Sequence, residues 1–66
     1  MIIGSRIREL RLEKELSKTQ LAEAIGVDIK AISFWENEVN EPKASYIVKL
    51  AQFFNVPTDF LLGLVD

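Results

Sequence analysis

The side chains most suited to chemistry lie in the short stretch from residue 28 to residue 37. If this stretch is a helix, a turn of about 100 degrees per residue places one cation, one hydroxyl, one amide and two apolar groups on the same face. Those side chains are Ile29, Lys30, Ser33, Phe34 and Asn37. Such a face can donate hydrogen bonds and make apolar contacts. The stretch therefore predicts recognition of a partner.

Catalytic and metal-binding side chains are scarce, because the chain contains no cysteine and no histidine. Thiolate and imidazole ligands for zinc are therefore absent, as is the side chain that most often acts as a general base. Without cysteine, no disulfide can form. We expect no enzymatic activity, no cofactor and no metal site.

Two short amphipathic helices joined by a glycine turn are predicted to position the binding face. Ser17 and Gln20 have the spacing of a capping box, so the first of these helices should begin near Lys18. Gly26 can adopt the left-handed conformation that ends this helix. Asp28 can cap the second helix by accepting its free N–H groups. The inner face of the second helix carries Ala31, Ile32, Trp35 and Glu36. The pattern predicts a helix-turn-helix over about residues 17–36.

Three further helices are predicted around this unit. One should run from about residue 4 or 5 to residue 14, with Ile3, Ile7 and Leu10 inward and with Arg6, Arg8, Glu9 and Glu13 outside. Another should run over residues 44–54, where the hydroxyl of Ser45 could help to cap the start and Asn55 could supply a left-handed end. A last short helix should begin near Pro57. With 48% hydrophobic residues in a chain of 66, the composition predicts one globular all-α domain over residues 1–66.

Residues 3–62 resemble the helix-turn-helix domains of the lambda and 434 repressor and Cro family. The matching pattern is L-S-x-x-x-L-A-x-x-I-G-V followed by I-S-x-W-E, at Leu16, Ser17, Leu21, Ala22, Ile25, Gly26, Val27, Ile32, Ser33, Trp35 and Glu36. The resemblance implies a five-helix, lambda-repressor-like DNA-binding domain. It also implies a sequence-specific transcriptional regulator, a repressor, whose third helix reads the major groove.

The resemblance assigns DNA contacts to seven residues. They are Lys18, Ile29, Lys30, Ser33, Phe34, Asn37 and Lys43. Lys18, at the start of a helix, would meet a phosphate. On the reading helix, lysine can donate to guanine, serine can serve either base class, and apolar side chains can pack on a thymine methyl. Asn37 and Lys43 would contact the DNA backbone.

One structural contact is also implied by the resemblance. In the repressors, an arginine of the first helix pairs with a glutamate at the end of the third. The matching residues here are Arg11 and Glu36. We therefore expect an ion pair that ties the first helix to the reading helix.

Charge and composition of the reading face leave a second function open. The net charge is −2, whereas phosphate contacts favour a basic protein. Asp28, Glu38 and Glu41 lie in or beside the elements that would meet DNA, and Ile29 and Phe34 are apolar. The alternative is a helix-turn-helix scaffold that serves as a protein-interaction module, with an antirepressor or a toxin as partner.

The C-terminal segment has more apolar residues than one small core needs. Leu64 and Val65 are candidates for a homodimer contact on a palindromic operator, because exposed apolar patches often mark a partner surface. Ordinary terminal packing, or a cut where a longer chain continues, remain equal alternatives. The longest apolar run, residues 60–65, is too short to span a bilayer and the N-terminus lacks a signal-peptide core. We expect a cytoplasmic protein with no membrane partner.

Overall fold

The computed structural model describes residues 2–66 and places five helices in them. They are α1 (Ile3–Glu13), α2 (Lys18–Ile25), α3 (Ile29–Glu36), α4 (Ala44–Phe54) and α5 (Thr58–Leu61). No strand occurs in this part of the chain. The predicted all-α architecture is confirmed, with α1 beginning one residue earlier than expected. None of the five helices is long and apolar enough to cross a lipid bilayer.

The connection between α2 and α3 is determined by local hydrogen bonds. Ser17 Oγ accepts the Gln20 N–H at 3.0 Å, and Gln20 Oε1 accepts the Ser17 N–H at 2.8 Å. Gly26 ends α2 with a φ of 86°, a left-handed conformation that suits a residue without Cβ. Asp28 Oδ1 then accepts the Lys30 N–H at 2.8 Å at the start of α3. These contacts orient α3 relative to α2.

A single apolar core holds the five helices together. Its buried members are Ile3, Ile7, Leu10, Leu21, Ala22, Ile25, Ile32, Trp35, Leu50, Ala51, Phe54 and Leu61. They include every residue predicted to line the inner face of α1. Burial of this apolar surface is the main force that assembles the helices, since it removes the side chains from water. With its inner side held in the core, α3 leaves the opposite side exposed.

Two predictions about side chains are wrong. Ser45 makes no capping hydrogen bond, because it lies inside α4 and the N-cap position is occupied by Lys43. Arg6 does not extend into solvent. It is half-buried, and its guanidinium carbon lies 4.1 Å from the centre of the Phe60 ring. The reason is that α5 returns against α1 and brings the aromatic ring under the arginine.

Candidate nucleic-acid interface

The outer face of α3 is accessible along its whole length. Ile29 and Phe34 each expose 43% of their surface although both are large apolar residues. Lys30 and Asn37 are exposed and Ser33 is half-buried. The structure therefore brings together the five side chains that the sequence predicted to share one face. The side chains on this face offer a cation, a hydroxyl, an amide and two apolar groups to a partner.

Lys18 joins this face from the neighbouring helix. Its Nζ lies 3.5 Å from Ser33 Oγ, and because an ammonium can only donate, the serine oxygen accepts. The contact places the positive charge at the first turn of α2 beside the middle of α3. An anion there would meet the lysine and the free N–H groups of the helix start together.

Lys43 follows the C-terminal end of α3 in the chain and is the N-cap residue of α4. It is exposed, and its Nζ lies 5.6 Å from the centre of the Tyr46 ring. Tyr46 in turn packs against Trp35 of α3 at 5.6 Å between ring centres. The Nζ of Lys49 lies 5.8 Å from the same tyrosine ring. Lys49 is exposed, and because Lys43, Tyr46 and Lys49 are spaced three residues apart at the start of and along α4, both ammonium groups reach the same ring.

Arg11 and Glu36 form a buried, two-pronged ion pair between α1 and α3. Arg11 Nε donates to Glu36 Oε2 at 2.7 Å and a terminal guanidinium nitrogen donates to Oε1 at 3.0 Å. The other terminal nitrogen donates to the Leu16 carbonyl oxygen at 2.9 Å. The hydrogen bond to Glu36 raises the pKa of Arg11, against the opposing effect of burial. The pair fixes the C-terminal end of α3 to the scaffold.

One contact near this interface was not found by sequence reasoning. Glu38 follows α3 with a φ of 61°, and its Oε1 accepts the Gly4 N–H at 2.9 Å. The acidic side chain is thus turned to the start of α1, where a negative charge is favourable. The only signal in the sequence is Gly4 itself, a weak helix former inside a helical pattern.

The remaining candidate residues lie away from α3. Leu64 exposes 70% of its surface and Val65 exposes 48%, in the segment that follows α5. Among residues 2–66, no group of acidic side chains is arranged to hold a metal ion. The accessible face of α3, with Lys18 beside it, is therefore the strongest candidate site in the described part of the chain.

A helix-turn-helix domain is defined by three features of this structure. They are the order of the helices, the glycine turn between α2 and α3, and the exposed outer face of α3. A family model described as "Helix-turn-helix" matches residues 7–61. The chain belongs to this family, in its phage-repressor form.

Known proteins with similar sequences or structures are regulators. The chain is 38% identical over 61 residues to an uncharacterized HTH-type transcriptional regulator, YobD, of Bacillus subtilis, covering 92% of this chain and 54% of the relative. The P22 c2 repressor in complex with a synthetic operator has a TM-score of 0.86 at 30% identity, with 92% of both chains covered. SinR, a master regulator for biofilm formation, in complex with DNA has a TM-score of 0.83 at 33% identity, covering 91% of this chain and 97% of SinR's. The chain spans about half the length of the curated relatives it matches.

Proposed function

We propose that the chain is the DNA-binding domain of a transcriptional repressor and that α3 reads the major groove. The observation that carries this proposal is the accessible face of α3, which the Arg11–Glu36 ion pair fixes to α1 and beside which Lys18 lies. The P22 c2 repressor and SinR, which share the fold, were each determined bound to DNA. We infer regulation without enzymatic activity.

Each of the seven proposed contacts has a chemical role. Lys18, Asn37 and Lys43 contact phosphates and so position the domain on the duplex. The remaining residues reach base edges, and they are Ile29, Lys30, Ser33 and Phe34. Lysine donates to guanine O6 and N7, and the apolar pair packs on thymine methyl groups. Because α3 carries a single cation, Lys30, its electrostatic attraction to DNA is small. Apolar contacts with the bases would supply part of the missing affinity.

The negative net charge is partly reconciled with this role by where the acidic groups lie. Asp28 is engaged in capping α3, and Glu38 accepts a hydrogen bond at the start of α1. Both carboxylates therefore have structural hydrogen bonds next to the proposed interface. Their charge still lowers affinity for DNA, so we expect weak non-specific binding and a larger share of affinity from base contacts.

We further propose that two copies bind a palindromic operator in the cytoplasm. A dimer of this kind places its reading helices about 34 Å apart, on successive major-groove faces. The exposed apolar residues Leu64 and Val65 are the proposed contact between the copies. In this proposal, residues 1–66 form one domain.

The alternative, a protein-interaction module for an antirepressor or a toxin, has one supporting observation. Phe34 is exposed on the candidate face, and aromatic side chains often dominate binding energy between proteins. The relatives reported above are named as regulators or bound to DNA, which favours the DNA reading.

Selection of genomic fragments by the purified chain tests the proposed function. Fragments retained at low salt are sequenced, and the proposal expects one palindromic motif whose half-sites are about 10 base pairs apart. The matched control is a variant with Lys30 and Ser33 both replaced by alanine, which should lose the motif while remaining folded. Failure to retain any DNA, or retention without a common motif, would contradict sequence-specific regulation.

A further inference from the structure

A second surface lies between α1 and α5 and is not used by the proposed DNA contacts. It is an open groove with a volume of about 590 Å³. Its lining residues are Glu9, Leu10, Leu12, Glu13 and Phe60. None of these residues belongs to α2 or α3, so the groove and the reading face are built by different helices. Both surfaces can therefore be occupied in the same molecule.

The apolar part of the groove is open to solvent. Leu12 exposes 54% of its surface, more than any other large apolar residue within the five helices. Leu10 closes the floor against the core, and Phe60 is half-buried beside it. One face of the Phe60 ring is covered by Arg6, which fixes the position of the ring. A fixed aromatic wall next to an exposed leucine is suited to receive an apolar side chain.

The edge of the groove carries two negative charges. Glu9 and Glu13 are exposed and lie one helical turn apart on α1. Neither makes an ion pair with another described residue. Like charges at this spacing destabilise a helix slightly. Helix stability therefore does not account for their placement around an exposed leucine.

We propose that this groove binds an amphipathic segment of a partner protein, in which an apolar side chain is flanked by lysine or arginine. The apolar side chain would pack on Leu12 and Phe60, and the basic residues would meet Glu9 and Glu13. DNA is a poorer match, because Glu9 and Glu13 repel phosphates. A second copy of the chain is a poorer match, because its exposed Leu64 is followed within two residues by the acidic Asp66.

Peptide display against the immobilised chain tests this proposal without DNA. Random peptides are selected, and the enriched consensus is synthesised and titrated against the free protein. The expected consensus has a leucine, isoleucine, phenylalanine or methionine with lysine or arginine one turn away. Its binding should weaken as salt is raised, because the charges at the edge are exposed.

Matched variants locate the binding site. Leu12→Ser should lower the affinity for the synthetic peptide about tenfold or more, and Glu13→Lys should lower it as much through charge reversal. Val48→Ser and Glu23→Lys likewise replace an apolar residue by serine and reverse a charge, at exposed positions outside the groove, and should leave binding unchanged. All four sites are exposed, so the variants should melt within a few degrees of the parent chain, which circular dichroism checks.

Three outcomes overturn the proposal. The first is the absence of any enriched peptide, and the second is an acidic or purely apolar consensus. The third is a peptide that binds the Leu12→Ser variant as well as the parent. If Leu12→Ser instead changes the sedimentation of the free chain, the groove is a contact between copies, which likewise contradicts a partner segment.

Discussion

Glu38 Oε1 accepts the backbone N–H of Gly4 at 2.9 Å and so joins the loop after α3 to the start of α1, 34 residues earlier. Glu38 lies two residues after Glu36, which forms the ion pair with Arg11. Both contacts tie α1 to the C-terminal end of α3. From the sequence, the negative charge of Glu38 is unfavourable for DNA binding. In the structure, its carboxylate makes a structural hydrogen bond. The orientation of α3 depends on two polar links as well as on the apolar core.

Replacing Gly4 by alanine should destabilise the domain. A Cβ at this position would overlap the carbonyl oxygen of Trp35 and lie 2.6 Å from Glu38 Oε1. Overpacking of this kind typically costs about 1–3 kcal/mol, more than the roughly 1 kcal/mol by which alanine favours a helix over glycine. Urea denaturation measures the change, with Arg8→Ala on the exposed side of α1 as the control. A Gly4→Ala variant as stable as the parent would mean that α1 and α3 are farther apart than described.

Glu36→Ala should lower the free energy of unfolding by about 3–5 kcal/mol, because it leaves the buried guanidinium of Arg11 without its partner. The double variant Arg11→Met with Glu36→Leu should lose less, since no charge is left buried. Chemical denaturation of the three proteins gives the comparison. A loss below about 0.5 kcal/mol for Glu36→Ala is typical of surface pairs and would contradict burial.

The same pair makes a prediction about pH. The pKa of Arg11 is raised in the folded state by its hydrogen bond to Glu36. The resulting stabilisation is present at all pH values below the unfolded pKa of arginine and is lost only as pH rises through the folded value, in strongly alkaline solution. Protonation of Arg11 should therefore contribute no change in stability between about pH 6 and about pH 9, and the double variant Arg11→Met with Glu36→Leu, which leaves no charge buried, should show the same pH profile as the parent over that range.

Lys18 and Ser33 should act on DNA as a coupled pair. Their side chains are in contact at 3.5 Å, and contacting residues typically show coupling of about 0.5 kcal/mol or more. A double-mutant cycle measures this coupling. It compares Lys18→Met, Ser33→Ala and the double variant in fluorescence-anisotropy titrations with the selected operator. Lys43→Met with Ser33→Ala is the control pair and should be additive within about 0.5 kcal/mol. Additive losses for Lys18 and Ser33 would mean that the two residues bind DNA independently.

Lys30→Ala should distinguish a base contact from a phosphate contact. Loss of a base contact costs about 1–3 kcal/mol and relaxes preference at one position, whereas loss of a phosphate contact weakens all sequences alike and lowers the salt slope by about one. Titrations at two salt concentrations separate the two cases. Lys14→Ala, at the end of α1, serves as the control. Unchanged DNA binding by Lys30→Ala would move the interface off this face of α3, and a costly Phe34→Ala with little salt dependence would favour a protein partner.

Leu64→Asp should weaken self-association and cooperative operator binding without unfolding the domain. The side chain exposes 70% of its surface, so the substitution removes no core contact but places a charge in the proposed dimer contact. Sedimentation velocity and footprinting measure the two effects. Val48→Asp makes the same kind of change at another exposed apolar position, on α4, and should have neither effect. Equal sedimentation of the parent and the Leu64→Asp variant would exclude this segment from a dimer.

Local structure was predictable from the sequence because it depends on residues within one helical turn of each other. The capping box of Ser17 and Gln20, the left-handed Gly26 and the Asp28 cap each need only near neighbours, and each forms as the sequence predicts. The Arg11–Glu36 pair was expected through a family resemblance, since no local rule joins residues 25 positions apart.

The helices, their caps and the face of α3 that turns away from the core follow from the sequence alone, because hydrophobic periodicity and capping are local. The tertiary structure sets which distant side chains meet. It placed Arg6 on Phe60, Lys18 beside Ser33, and Glu38 at the start of α1, and it opened the groove around Leu12. These contacts depend on how separate helices pack on a shared core, and no short segment of the sequence contains that information.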